Sequence, residues 1–277
     1  MDIAGTLNQW WNHRVSQGAM LMAIAALLFL TLLRVPTEDQ AVLGVLERLT
    51  FDLQMKFLRA NFPRPAPIEP ILIGIDESAE EAFDEPIAMW HKHFAALLDA
   101  LAVSEPTLVG MDVVLPSRSF DHIRPGLDFS FLRSLANIKR NTPFVVVHTF
   151  DRTGKLFPIH PTFLKVLTDE SFAIDKVLED RDRVARRFNE LETVGTGSLP
   201  AFSGHIARIL GRKPETGFID FSIGGVLNYV PMQQVIAWNA EGNVDELKRR
   251  FGGKVVLIGS VVGAQDRWQL PVALSEW

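Results

Sequence analysis

The 277-residue chain contains no cysteine, so its fold must rest on a hydrophobic core without disulfide staples. That absence suits an oxidising exterior without requiring one. A basic excess is missing as well: 28 Lys and Arg face 33 Asp and Glu, a formal net charge of -5, which argues against a general nucleic-acid binder. No long low-complexity segment and no 20–50-residue repeat is present. Gly195-x-Gly197 lacks the third glycine of a dinucleotide loop, Gly259-Ser260 lacks the G-x-S-x-G elbow of hydrolases, and neither a Walker lysine motif nor H-E-x-x-H occurs. These absences count against catalysis and give no reason to expect a cofactor.

Long uncharged runs are scarce too, and the one exception is informative. From Val15 to Leu33 no residue is charged, and Arg14 and Arg34 close the two ends. As a helix this run spans roughly 27 Å, close to the hydrocarbon core of a bilayer. A single transmembrane helix over residues 15–34 is expected, with residues 1–14 as a short cytoplasmic tail. The alternative is a cleaved signal peptide, but the following LLRVPTEDQ lacks a small-x-small cleavage pattern. The positive-inside rule leans toward an exported C-terminal part. The longest later apolar stretch, Val255 to Gln265, is too short to span.

After the anchor, Val42, Leu46, Leu49, Leu53 and Phe57 recur at helical spacing. Residues 35–60 are therefore read as an amphipathic stalk helix, whose stripe either packs on its own domain or pairs with a second copy as a homodimer. Residues 61–277 then form one α/β domain. Strands are expected at Ile71–Asp76, Leu108–Leu115, Pro143–Thr149, Phe218–Phe221 and Lys254–Gly259. Helices are expected at Met89–Val103, Leu127–Ile138, Leu199–Leu210, Met232–Trp238 and Val244–Arg250. Near-continuous apolar strands alternating with helices predict a mainly parallel sheet flanked by helices. Asp151 to Glu192 breaks the rhythm and reads as an excursion with its own helices, its LEDRDRVARR run as a solvated turn and helix face.

Five residues are candidates for polar-ligand contact. Asp76 and Glu77 end the first strand, where open parallel sheets bind ligands, or else cap the next helix. Asp112 interrupts an apolar strand expected to be buried on both faces, and so needs a donor, a cation or a proton. Ser260 and Asp266 follow the last strand. His91-x-His93 would suit a metal only on a strand, and on the helix expected here the two rings diverge by about 200°.

Several stretches, in order, resemble a known family. FDLQMKFLR is similar to the helix leading into the second type of CHASE domain, an extracytoplasmic sensor module of bacterial receptors, and ILIGIDES to its first strand. MWHKHFAALLDAL with PTLVGMDVVL looks like its helix and G-hydrophobic-D strand, LEDRDRVARR like its D-x-D-G-x-x-R-R turn, and GFIDF like its I-N-F strand. GGKVVLIGSVVGAQDRWQLPV is similar to its closing strand with the downstream aspartate and proline. The likeness runs from Phe51 to Val272 and departs at Arg183 (glycine in the family), Ala185 (an apolar position) and Asp220 (asparagine).

The resemblance implies a non-catalytic sensor of a small-molecule or protein ligand in the periplasm, held by one pass through the bacterial inner membrane. It also implies a cytoplasmic output domain or partner outside this chain. A scaffold subunit of a membrane complex, using the same domain to bind protein, remains the alternative, and an exported hydrolase is a third reading.

Overall fold

In the computed structural model, the described residues are 41–262 and 268–273, with Met22, Ile24 and Ala25. Those last three belong to the predicted span and are helical and exposed; the rest of the span, the tail and Asp266 lie outside the described residues. No helix among the described residues is long and apolar enough to cross a membrane. The chain divides into two compact units, Met1–Met55 and Lys56–Trp277.

Helix α1 (Ala41–Asn61) carries the stripe read from the sequence, and Leu46, Leu49, Leu53 and Phe57 are all exposed on it. In the second unit, β1 (Ile71–Ile75) leads into the short helix α2 (Glu77–Ala82) and then α3 (His91–Ser104). Next come β2 (Leu108–Asp112), α4 (Leu127–Ile138), β3 (Phe144–His148) and β4 (Phe172–Ile174). Two antiparallel pieces follow: β5 (Leu178–Glu179), β6 (Ala185–Phe188), the hairpin β7 (Leu191–Val194) and β8 (Gly197–Pro200), helix α5 (Phe202–Ile209), and β9 (Gly217–Phe218), which pairs with β6. The chain returns through β10 (Tyr229–Pro231), α6 (Met232–Ala240), α7 (Val244–Phe251) and β11 (Val255–Ser260).

The main sheet has six parallel strands in the order β10-β1-β11-β2-β3-β4, as the alternation of apolar strands and helices predicts. The last strand is thus inserted between the first two. Because strand side chains alternate, Val109 and Met111 of β2 face a core shared with Leu97 and Leu101 of α3, Leu135 of α4, Val235 of α6 and Phe251 of α7. Leu108 lies on the opposite face with Val145 and Val255, against Ile206 of α5. Burying each such side chain stabilises the fold by roughly 1.5–3 kcal/mol.

Four expectations are corrected. The strand expected to reach Leu115 stops at Asp112, which is exposed at its end, so its carboxylate is not interned in the apolar sheet. The strand expected over Phe218–Phe221 is only Gly217–Phe218. Asp151–Glu192 contains no α-helix; it holds two 3-10 turns, Phe163–Lys165 and Asp169–Ser171, and short strands. Finally, LEDRDRVARR is a hairpin, not a helix face. Asp180 and Arg183 close its turn by a 2.9 Å backbone hydrogen bond, and Arg183 sits at φ 62°, where the family's glycine is free of the Cβ penalty of about 1 kcal/mol. Arg186 is 1% exposed and donates at 2.8 Å to Asp180 and to both carboxylate oxygens of Asp182.

Candidate functional site

The parallel sheet brings four of the five predicted residues to one edge. β1 and β11 are in register with Ile75 opposite Ser260, and β11 and β2 with Gly259 opposite Asp112. Asp76, Glu77, Ser260 and Asp112 therefore cluster at the carboxyl ends of three adjacent strands. The order of connection reverses here, since the chain leaves β1 toward β2 on one side and returns to β10 on the other, the arrangement at which α/β sheets form a crevice. Asp266 is outside the described residues.

Asp76 is buried, and both its oxygens are engaged. Oδ1 accepts from the Ala79 amide at 3.0 Å, capping α2, from the Ser78 hydroxyl at 2.8 Å and from Gln233 Nε2 at 3.3 Å. Oδ2 accepts from the Tyr229 hydroxyl at 3.2 Å. Burial alone would raise this carboxyl's pKa, but the donors, led by Ser78, outweigh it and hold the value below the usual carboxylate range. Tyr229 moves the other way, raised by burial and by Asp76. Asp76 thus bridges β1, the edge strand β10 and α6. Tyr229 and Gln233 were not singled out from sequence, since each is more than 150 positions from Asp76.

Glycine is required at one place on this edge. A Cβ at Gly74 would lie 2.4 Å from the Tyr229 ring and 2.7 Å from Val261, so only glycine lets the ring cross β1 toward Asp76. A Cβ at Gly259 would meet only Asp112, at 3.5 Å. Ser260 accepts from the Val262 amide at 3.4 Å, and Glu77 is exposed in the first turn of α2. No group of three His, Cys, Asp or Glu that could hold a metal exists among the described residues.

The two histidines part as helical spacing requires. His93 stacks on Phe83 at 3.6 Å between ring centroids and meets Glu85 at 3.2 Å. Glu85 also binds Lys92 and Arg124, and Lys92 and His93 chiefly pull its pKa down to about 2. His91 turns instead toward Asp128, 3.5 Å away.

A second cluster, missed from sequence, joins the end of α1 to the loop between β9 and β10. Arg59 donates at 2.9 Å to the carbonyls of Phe221 and Gly225. Arg64 pairs with Asp220 and donates to the Ser222 hydroxyl at 2.8 Å, while Asp220 accepts from the Ser222 amide at 3.0 Å. Burial opposes the charge on Asp220, but Ser222 and Arg64 hold its pKa down. The departure from asparagine therefore supplies the carboxylate that Arg64 pairs with. The only sequence signal was that departure itself.

These features define a class: a parallel α/β module with polar side chains gathered at its switch point and the last turn of a preceding helix tied to the loop before its edge strand. The chain matches the CHASE2 domain over residues 22–276 and belongs to that family, one of extracytoplasmic sensor domains. No curated protein and no solved structure matches the chain.

Proposed function

We propose that the chain is the membrane-anchored, non-catalytic sensor part of a bacterial signal-transduction receptor. Residues 15–34 cross the inner membrane once, residues 35–60 form the stalk, and residues 61–277 sense a ligand or partner outside the cytoplasm. The observation that carries this reading is the Arg59 and Arg64 tie. The β9–β10 loop that holds the last turn of α1 leads directly into Tyr229, which hydrogen-bonds Asp76 at the sheet edge. A ligand that favours one arrangement of that edge would shift β10, its loop and the stalk together, provided it binds that arrangement more tightly. Glu77, Asp112, Ser260 and Asp266 are the groups proposed to meet a polar ligand beside Asp76.

The exposed apolar stripe of α1 supports pairing with a second copy, because an unpaired stripe is unfavourable in water. The cysteine-free sequence makes the test clean. In membranes under mild oxidation, Leu49→Cys is expected to give a disulfide-linked dimer and Gln54→Cys, about 140° around the helix, to give much less. Equal cross-linking at both positions would remove pairing through the stripe. Topology is tested separately: alkaline phosphatase fused to the C-terminus is expected to be active, and an inactive fusion on a stably expressed chain would invert the orientation and end the sensor reading.

A further inference from the structure

Along the carboxyl edge of the sheet, at the end away from Asp76, a cavity of about 540 Å³ opens where β3 and β4 stop. Thr149 and Phe150 follow β3, Asp175 and Lys176 follow β4, and Thr193 of β7 and Trp268, beyond β11, also form the wall. Its size and its place at the carboxyl ends of parallel strands are those of a small-molecule site. Trp268 is the informative residue. Tryptophan is usually largely buried, as Trp90 is at 1% exposure, yet Trp268 lines a concavity and is 44% exposed. Its backbone is pinned nonetheless: the next residue, Gln269, pairs with Val184, and its carbonyl accepts from the Ala185 amide at 2.8 Å. The β5–β6 hairpin therefore holds an indole on the wall without burying it, and covering that ring with an apolar surface is favourable.

The polar groups around the indole are of mixed kind. Lys176 Nζ donates at 2.9 Å to the buried carboxylate of Glu192, which uses one of its three donors. Asp175 supplies acceptors, and the hydroxyls of Thr149 and Thr193 serve as either. Among the described residues of the wall one carboxylate is balanced by one ammonium, so an ionic ligand would be attracted by one and repelled by the other. A neutral ligand rich in hydroxyls, each both donor and acceptor, makes use of all four groups. With an aromatic ring to cover, that ligand also needs a flat face of C–H bonds. A pyranose ring with equatorial hydroxyls has both.

We propose that this cavity binds a neutral pyranoside, its C–H face on Trp268 and its equatorial hydroxyls on Asp175, Lys176, Thr149 and Thr193. The proposal gives the sensing reading a ligand class and rests on it only for the consequence of binding, since its test reads binding alone. The full chain in lipid nanodiscs is titrated calorimetrically with methyl β-D-glucopyranoside, whose substituents are all equatorial, and with D-glucitol, an open-chain polyol without a ring face. The glucoside is expected to saturate at one per chain and glucitol to bind about 10-fold more weakly. Trp268→Ala should weaken glucoside binding by about 10-fold, and Trp268→Phe, which keeps an aromatic ring, should retain most of the parent's affinity. Because Trp268 is exposed, both variants should melt within about 2 °C of the parent.

Four results would overturn the proposal: no saturable binding of the glucoside by the parent, equal affinities for glucoside and glucitol, undiminished binding by Trp268→Ala, or a loss in Trp268→Phe as deep as in Trp268→Ala. The third would assign the heat to the bilayer or to another surface, and the fourth would remove stacking as the cause. Saturable binding that depends on Trp268 but leaves cross-linking through Leu49→Cys unchanged would support the site while counting against the sensing reading.

Discussion

Arg186→Ala is expected to lower the unfolding free energy by about 3–5 kcal/mol, a fall in Tm of about 10 °C or more. The guanidinium lies at 1% exposure and satisfies Asp180 and Asp182 through 2.8 Å contacts. Its removal leaves a cavity and deprives Asp180, 16% exposed, of its close partner, while Asp182, 41% exposed, can be hydrated; the less exposed of the two carboxylates accounts for most of the cost. The neighbouring Arg187 is exposed and 3.7 Å from Asp180, so Arg187→Ala should cost less than about 1 kcal/mol. If stranded charge is the cause, Arg186→Ala combined with Asp180→Asn and Asp182→Asn should be more stable than Arg186→Ala alone. Thermal denaturation of the parent and the three variants measures all of this, and equal melting temperatures for Arg186→Ala and Arg187→Ala would refute it.

For Asp76→Ala a loss of about 2–3 kcal/mol is expected, because four donors lose one acceptor group and α2 loses its cap. Glu77→Ala, one residue on but exposed, should stay within about 0.5 kcal/mol. The two differ in pH dependence as well. The folded pKa of Asp76 lies below its ordinary value, so its contribution is fully present above about pH 4 and is lost as the pH falls through the lower folded value. Denaturant melts between pH 6 and pH 3 should therefore converge for parent and Asp76→Ala toward the acid end. A gap that stays constant with pH would mean that Asp76 acts without its charge.

Much of the framework was legible in the sequence because it depends on local pattern. α4 falls on the expected residues Leu127–Ile138, and β1, β3 and β11 lie within one residue of the apolar runs that announced them. β10 was missed because three residues ending in Pro231 carry no periodicity, and proline is tolerated there only because the strand lies at the sheet's edge. Arg186 was misjudged because a run of charges reads as solvated; its burial depends on two aspartates folding back over it from the same turn. Asp112 erred the other way, since a carboxylate in an apolar run is costly inside a strand and harmless at its end. At the candidate site the capping role of Asp76 could be read locally. Its bonds to Tyr229 and Gln233 could not, because long-range pairing follows from sheet order and leaves no mark in the neighbouring residues.

The position of β11 bears on how the domain is made. This strand, Val255–Ser260, forms the centre of the sheet between β1 and β2, which are separated from it by about 180 and 140 residues of chain. Until it arrives, β1 and β2 have no strand between them, and each presents an unpaired apolar edge. Such non-local pairing slows folding and prolongs the life of sticky intermediates. The β1–β11 and β11–β2 pairings therefore cannot form until Val255–Ser260 has been synthesised, so the centre of the sheet closes late, after its flanking strands and helices have emerged.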